Sequence, residues 1–191
     1  MSVLRRISRL VVLSQVALTL AACSPDAVTA PRKSGALDPS RTALETDAVQ
    51  DGLAEVRAAT ARYHRVEVAL AEGYVSTLIC AASPAGAMGI HYVNPTLRHD
   101  ATFDAARPEL LLYEPQQNGQ LRLVAIEYVV TRTLWDAAHP GTLPTFLGQS
   151  FFQSFGPAAH GEPDHYELHV WLWRDNPSGM FAQWNPNVSC L

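Results

Sequence analysis

The clearest alternation of apolar and polar positions in the chain is HYELHVWLW, residues 165–173, which predicts a β-strand. Tyr166, Leu168, Val170 and Leu172 fall on one wholly apolar face, and His165, Glu167, His169, Trp171 and Trp173 share the other. Two tryptophans beside two histidines predict a second buried layer or a pocket there, because a solvated strand face carries Lys, Thr, Ser or Glu instead. The runs 75–80, 88–93, 109–113 and 121–130 are apolar, β-branched or aromatic and are bounded by turn residues, which predicts four more strands. Gln117-Asn118-Gly119 is a hairpin signal that makes 109–113 and 121–130 antiparallel neighbours. In 121–130, Leu123, Ala125 and Val129 share a face with Glu127, while Val124, Ile126 and Val130 make the opposite face apolar as well. A strand apolar on both sides is central in its sheet.

Helical periodicity is confined to 45–72, where Val49, Leu53, Val56, Thr60, Tyr63 and Leu70 form a stripe that Gly73 is placed to end. The expectation is an α+β fold, one long N-terminal helix packed on a curved antiparallel sheet of about five or six strands. Residues 131–164, with several prolines and glycines, read as an irregular excursion over one end of the sheet and as a candidate lid.

The start of the chain has a different character. Arg5, Arg6 and Arg9 precede an apolar stretch over 10–20, and Leu20-Ala21-Ala22-Cys23 resembles a bacterial lipobox, which implies cleavage before Cys23 and a diacylglycerol on its thiol. Residues 1–22 then form a lipoprotein signal peptide, 23–41 a flexible Pro/Ser/Ala-rich tether, and 42–191 a single domain. The expected location is the cell envelope, with the membrane as a partner through lipidated Cys23. Loss of three arginines takes the formal charge from −4 to −7, and without a basic stripe this excludes nucleic acid as a partner. With Cys23 lipidated, Cys80 and Cys190 pair as a disulfide in an oxidising compartment; free thiols or a thiolate metal site is the alternative.

Chemistry centres on Glu127, a carboxylate inside a strand with no solvated face, where an unpaired ion costs several kcal/mol. His91, His169 and Tyr92 are the candidate partners, and His91 follows a glycine-rich turn where backbone can approach a ligand closely. Two readings stand open. In one, His91, Glu127 and His169 converge as ligands for one divalent transition metal such as zinc, copper or non-haem iron, with Glu114 or Glu167 as a supporting group or general base. In the other, the same residues form a buried hydrogen-bonded network without metal. His165 and His169 lie ~13 Å apart on a strand and cannot bind one ion together. His99, His139 and His160 sit in Pro/Gly/Asp surroundings and read as surface residues. No GxSxG, phosphate-loop, dinucleotide or HExxH pattern is present.

The blocks AEGYV, GAMGIHYVNP, PELLLYEP, LVAIEYVV and HYELHVWLWRDNPSGMFAQWNPNVSC resemble an uncharacterised family of exported bacterial lipoproteins. The resemblance spans about 61–190 and implies membership without any activity or catalytic residue. The leading expectation is a lipid-anchored envelope protein that binds a small ligand or a metal between the Trp/His face and the 131–164 segment. A metal-dependent envelope enzyme is the first alternative, and a structural or interaction lipoprotein partnered by another envelope protein is the second.

Overall fold

A computed structural model of the chain describes residues 39–154 and 163–191, with side chains from residue 45 onward. The expected signal peptide, Cys23, most of the tether and His160 lie outside the described residues. A helix α1 (Pro39–Thr60) opens the described chain, three residues before the expected domain boundary at 42.

Among the described residues six antiparallel strands form one curved sheet in the order β1-β2-β3-β4-β8-β7. They are β1 (Val75–Ser83), β2 (Gly86–Val93), β3 (Leu110–Pro115), β4 (Leu121–Thr131), β7 (Phe152–Ser154) and β8 (His165–Val170); β5 (Thr145–Phe146) and β6 (Gln149–Ser150) make a separate small hairpin. The turn after β3 is the expected one: Gly119 takes φ +77°, its N–H donates to the Gln116 carbonyl, and the Gln116 N–H donates to Gln120. It sets β3 against β4, as the Asn-Gly signal predicts.

The predicted single helix over 45–72 is broken. After α1 comes a 3-10 turn (Ala61–His64), then Arg65 in an extended conformation, then a short helix α2 (Val66–Ala71). The break has a polar logic. The Tyr113 hydroxyl donates to the Tyr63 carbonyl at 2.7 Å, and Arg62 spans the break with two N–H donors to the Glu72 carboxylate, each at 3.0 Å. It also resets the helical phase, so Leu53, Val56, Tyr63 and Ala69 are buried against the sheet while Leu70, expected on the stripe, faces solvent. Gly73, at φ +92°, ends the helical segment as expected.

Two apolar layers flank the sheet. On the helical side Leu111, Tyr113, Leu123, Ile126, Tyr128, Val130, Tyr166, Leu168 and Val170 meet α1 and α2. On the other side Met88, Leu110, Leu112, Val124, Ala125, Val129 and Trp171 meet Val188, Trp184 and Cys190 of the C-terminal segment. A β-bulge between Leu112/Tyr113 of β3 and Ala125/Leu123 of β4 puts Val124 and Ala125 on this second side and Leu123 on the first, which corrects the strict alternation expected for β4.

The described residues within 131–164 are also more regular than a lid. They contribute helix α3 (Arg132–Ala138), the β5–β6 hairpin and β7, the sixth strand of the sheet. Trp135, Phe146 and Phe151 gather around Phe103 on the helical side, so this segment covers the face opposite to the one expected. The His/Trp face is closed instead by residues 171–191. The strand ends at Val170, where the backbone turns: Trp171 donates its N–H to the Met180 carbonyl, and Trp173 packs on His64 and Arg57 of the helical layer rather than beside His169. Gly86, at φ +131°, lets the Asn185 backbone pair with Ala87, since a Cβ there would come within 2.4 Å of the Asn185 carbonyl group. The glycine-rich turn before His91 thus accommodates the chain's own C-terminal segment, not a ligand.

Cys80 and Cys190 are disulfide-bonded, with Cα atoms 5.7 Å apart across a separation of 110 residues. A loop of that length is worth about 4 to 5 kcal/mol in the chain-entropy account. The Cys80→Ala/Cys190→Ala protein is therefore expected to unfold at a distinctly lower urea concentration than the oxidised wild type, and reduction of the wild type should bring the two curves together. Coincident curves before reduction would contradict this.

Candidate metal centre

Pairing register determines which side chains meet on the covered face. Glu127 of β4 lies directly opposite His169 of β8, and Glu167 and His165 follow on β8 opposite Val129 and Thr131. On the other flank Glu127 is paired with Leu110 of β3, and Leu112 of β3 is paired with His91 of β2, so His91 and Glu127 meet above β3. The predicted trio therefore converges. His91 Nε2 is 3.5 Å from Glu127 Oε2 and His169 Nε2 is 3.8 Å from Glu127 Oε1. His165 joins through Glu167, whose Oε2 lies 3.0 Å from His165 Nε2. All five residues are 0 to 4 % exposed.

Their ligand-type atoms fall into two compact groups, His91/Glu127/His169 and Glu127/His165/Glu167, each with all atoms within 4.8 Å of one another. Glu127 belongs to both. Separations of 3.5 and 3.8 Å exceed the ~2.7 to 2.9 Å of a charge-assisted hydrogen bond. They lie close to the edge of a coordination tetrahedron, about 3.3 Å for bonds of 2.0 to 2.1 Å.

Contacts outside the groups hold the members in place. His165 Nδ1 donates to the Pro163 carbonyl at 2.7 Å, and the Gln183 side-chain amide donates to Glu167 Oε1 at 2.5 Å. Trp171 lies nearly parallel to His169, with centroids 6.3 Å apart, and its indole N–H donates to the Ala182 carbonyl. Burial by itself pushes the Glu167 carboxyl up, but the His165 N–H, the charges of His169 and His165 and the Gln183 amide outweigh it and hold the group well below the usual carboxylate range. Burial lowers His165, yet the Glu167 carboxylate and the Pro163 carbonyl outweigh that effect and leave it raised. A cavity of about 20 Å³ is lined by Thr77, His91, Val93, Arg98, Leu110, Glu127, Val129 and His165. That is room for about one water-sized body.

Other expected members lie elsewhere. Glu114 accepts the Ser189 N–H at Oε1 and the Gln116 amide at Oε2, so it fastens the C-terminal segment instead of joining the cluster. Tyr92 points to the helical side, edge-on to Tyr113, and is no partner of Glu127. Trp171 is buried and Trp173 and Trp184 are half-buried, so these rings form no flat exposed patch. His99 and His139 are exposed, as expected. Sequence reasoning missed three contributors: His165, Gln183 and the lining Arg98. His165 was signalled by the i, i+2, i+4 spacing of His165, Glu167 and His169, since a carboxylate between two histidines links residues too far apart to share one ion. The other two carry no local signal.

No protein-family model, curated protein or solved structure matches this chain. Any functional reading therefore rests on the site itself.

Glu109, just before β3, is a buried carboxyl of a different kind. Burial pushes it up to about 8, although Val129 donates its N–H to Oε2 at 3.1 Å. The folded chain keeps a proton that the unfolded chain releases near pH 4, so stability contributed at low pH is lost as pH rises to about 8 and is flat above. Glu109→Gln, which keeps an acceptor for Val129, should be nearly neutral at pH 4 and more stable than wild type at pH 9 by roughly 3 to 5 kcal/mol. Denaturation curves at the two pH values check this, and an equal effect at both would refute it.

Proposed function

We propose that the chain is a lipid-anchored metal-binding protein of the cell envelope, in which His91, Glu127 and His169 hold one divalent transition ion. The observation that carries this reading is a buried carboxylate with an imidazole facing each of its oxygens at 3.5 and 3.8 Å. Two imidazoles and a carboxylate suit zinc, copper or non-haem iron, and three protein ligands leave positions for water.

Cavity size favours an ion over an organic ligand. Pockets for small organic molecules run from about 300 to 1,000 Å³, against about 20 Å³ beside this cluster. A larger surface hollow of about 560 Å³ lies between α1 and Leu147, Gly148 and Gln149, away from the cluster and without a histidine in its lining. The Cys80–Cys190 disulfide and the lipobox-like Leu20-Ala21-Ala22-Cys23 support an exported, oxidised, membrane-tethered protein.

Elemental analysis of untagged protein, exported in a bacterial host and purified without chelator, tests the metal. Wild type should carry near-stoichiometric zinc, copper or iron, and His169→Ala should lose ions that wild type retains; absence of metal from freshly purified and metal-reconstituted wild type would leave a hydrogen-bonded network as the better account. Anchoring has its own readout. Cys23→Ala should move from the membrane fraction to the soluble fraction and fail to incorporate labelled fatty acid, and an unchanged distribution would remove the lipid from the proposal.

A further inference from the structure

We infer that the cluster holds two metal ions bridged by Glu127, one between His91 and His169 and the second between His165 and Glu167. The inference rests on the metal reading above and extends it.

Geometry argues against one ion serving the whole cluster. Ligands bonded at ~2.0 to 2.2 Å to a single ion lie at most about 4.4 Å apart, even on opposite sides of it. The five residues resolve into two groups at a 4.8 Å limit, and Glu127 is the member common to both. A carboxylate has two oxygens, and bridging is the arrangement in which one such group serves both positions. Paired ions of this kind stand about 3.5 to 4 Å apart, a distance that one carboxylate spans.

The second group is prepared for an ion in its own right. Only an N–H can make the 2.7 Å contact from His165 Nδ1 to the Pro163 carbonyl oxygen, which fixes the proton on Nδ1. In the neutral ring Nε2 then presents its lone pair to Glu167 Oε2, 3.0 Å away. Two lone pairs at that separation repel unless a cation serves both. A proton on Nε2 is one such cation and a metal ion is the other. Pro163 behind the imidazole and Gln183 behind the carboxylate are contacts of the type that orient metal ligands from outside the coordination sphere.

Both groups border one space. The water-sized cavity is lined by His91 of the first group, His165 of the second and the shared Glu127, with Arg98 beside them. Two divalent ions against the carboxylates of Glu127 and Glu167 leave a positive centre, and Arg98 adds to it. A hydroxide would fit both the charge and the volume of the cavity.

Titration of metal-free, untagged protein with Co(II), followed by equilibrium dialysis and visible absorption, separates the outcomes. The expected result is about two equivalents per chain for wild type, about one for His165→Gln and for His91→Gln, and none retained tightly by Glu127→Gln. Mn(II)-loaded wild type should show a spin-coupled EPR signal that His165→Gln converts to that of an isolated ion. One equivalent in wild type, unchanged in His165→Gln, would overturn the bridged pair while leaving the single-ion reading intact. No binding by wild type would overturn both. Far-UV circular dichroism identifies any variant that has not folded; in that case wild-type stoichiometry and the EPR coupling decide alone.

Discussion

A carboxylate at the centre of a sheet closed on both faces has to be compensated where it stands, and much of this structure follows from that demand. Glu127 sits on β4, between β3 and β8, with α1 and α2 over one face and residues 171–191 over the other. Removing such an ion from water costs several kcal/mol, and a sheet interior supplies no free backbone donors to offset it. Compensation therefore comes from side chains on neighbouring strands. His169 is delivered by direct cross-strand register, and His91 by reach across β3. Glu167 repeats the demand two residues along β8, and His165 answers it. The result is a continuous polar seam through an otherwise apolar layer, in which each acid is matched by at least one imidazole.

That seam depends on its cover. The C-terminal segment carries little regular structure of its own and is fastened to the sheet by the Ala87 and Asn185 backbone pair, Ser189 on Glu114 and the Cys80–Cys190 disulfide. Between these points it supplies Trp171 over His169 and Gln183 onto Glu167. Its own path is set by internal bonds, among them Gly179 N–H to the Asn176 carbonyl, Val188 N–H to the Asn185 carbonyl and the Asn176 side-chain amide to the Trp184 carbonyl. Cys190 is cross-linked to Cys80 in β1, at the edge of the sheet.

Local signals in the sequence were read correctly where local physics decides. The Asn-Gly turn fixes a hairpin, two-sided apolarity marks β4 as an interior strand, and an acid within it marks Glu127 as the residue to explain. The expected pairing of Cys80 with Cys190 is the one the fold contains. Other features depend on partners distant in sequence. The break after His64 turns on the Tyr113 hydroxyl, 50 residues away, taking a carbonyl that a continuous helix would use. The bulge at Val124 and Ala125 reverses face assignments along β4 without a glycine or proline to announce it. Which segment covers which face was misjudged because 131–164 and 171–191 are similarly irregular in composition. Their aromatic contacts with Phe103 and Met88 layers become visible only once the strands are ordered in space.

The closure of the cluster would also constrain how a metal ion reaches it. A site whose ligands are this buried, beside a cavity that admits one water-sized body, exchanges ions only when its cover opens. On the metal reading, that opening is displacement of residues 171–191, because these residues hold Gln183 and Trp171 against the cluster while the opposite face is sealed by the hydrophobic layer beneath α1. The disulfide couples this motion to redox state. With Cys80 and Cys190 bonded, the segment is tied at its far end as well as through β8, and lifting it requires local unfolding between two fixed points. Reduced, it would lose the covalent tie at Cys190. Oxidation would therefore slow the exchange of an ion in both directions, entry as well as release. The same covalent bond that stabilises the fold would thus also govern how readily the last wall of the site opens.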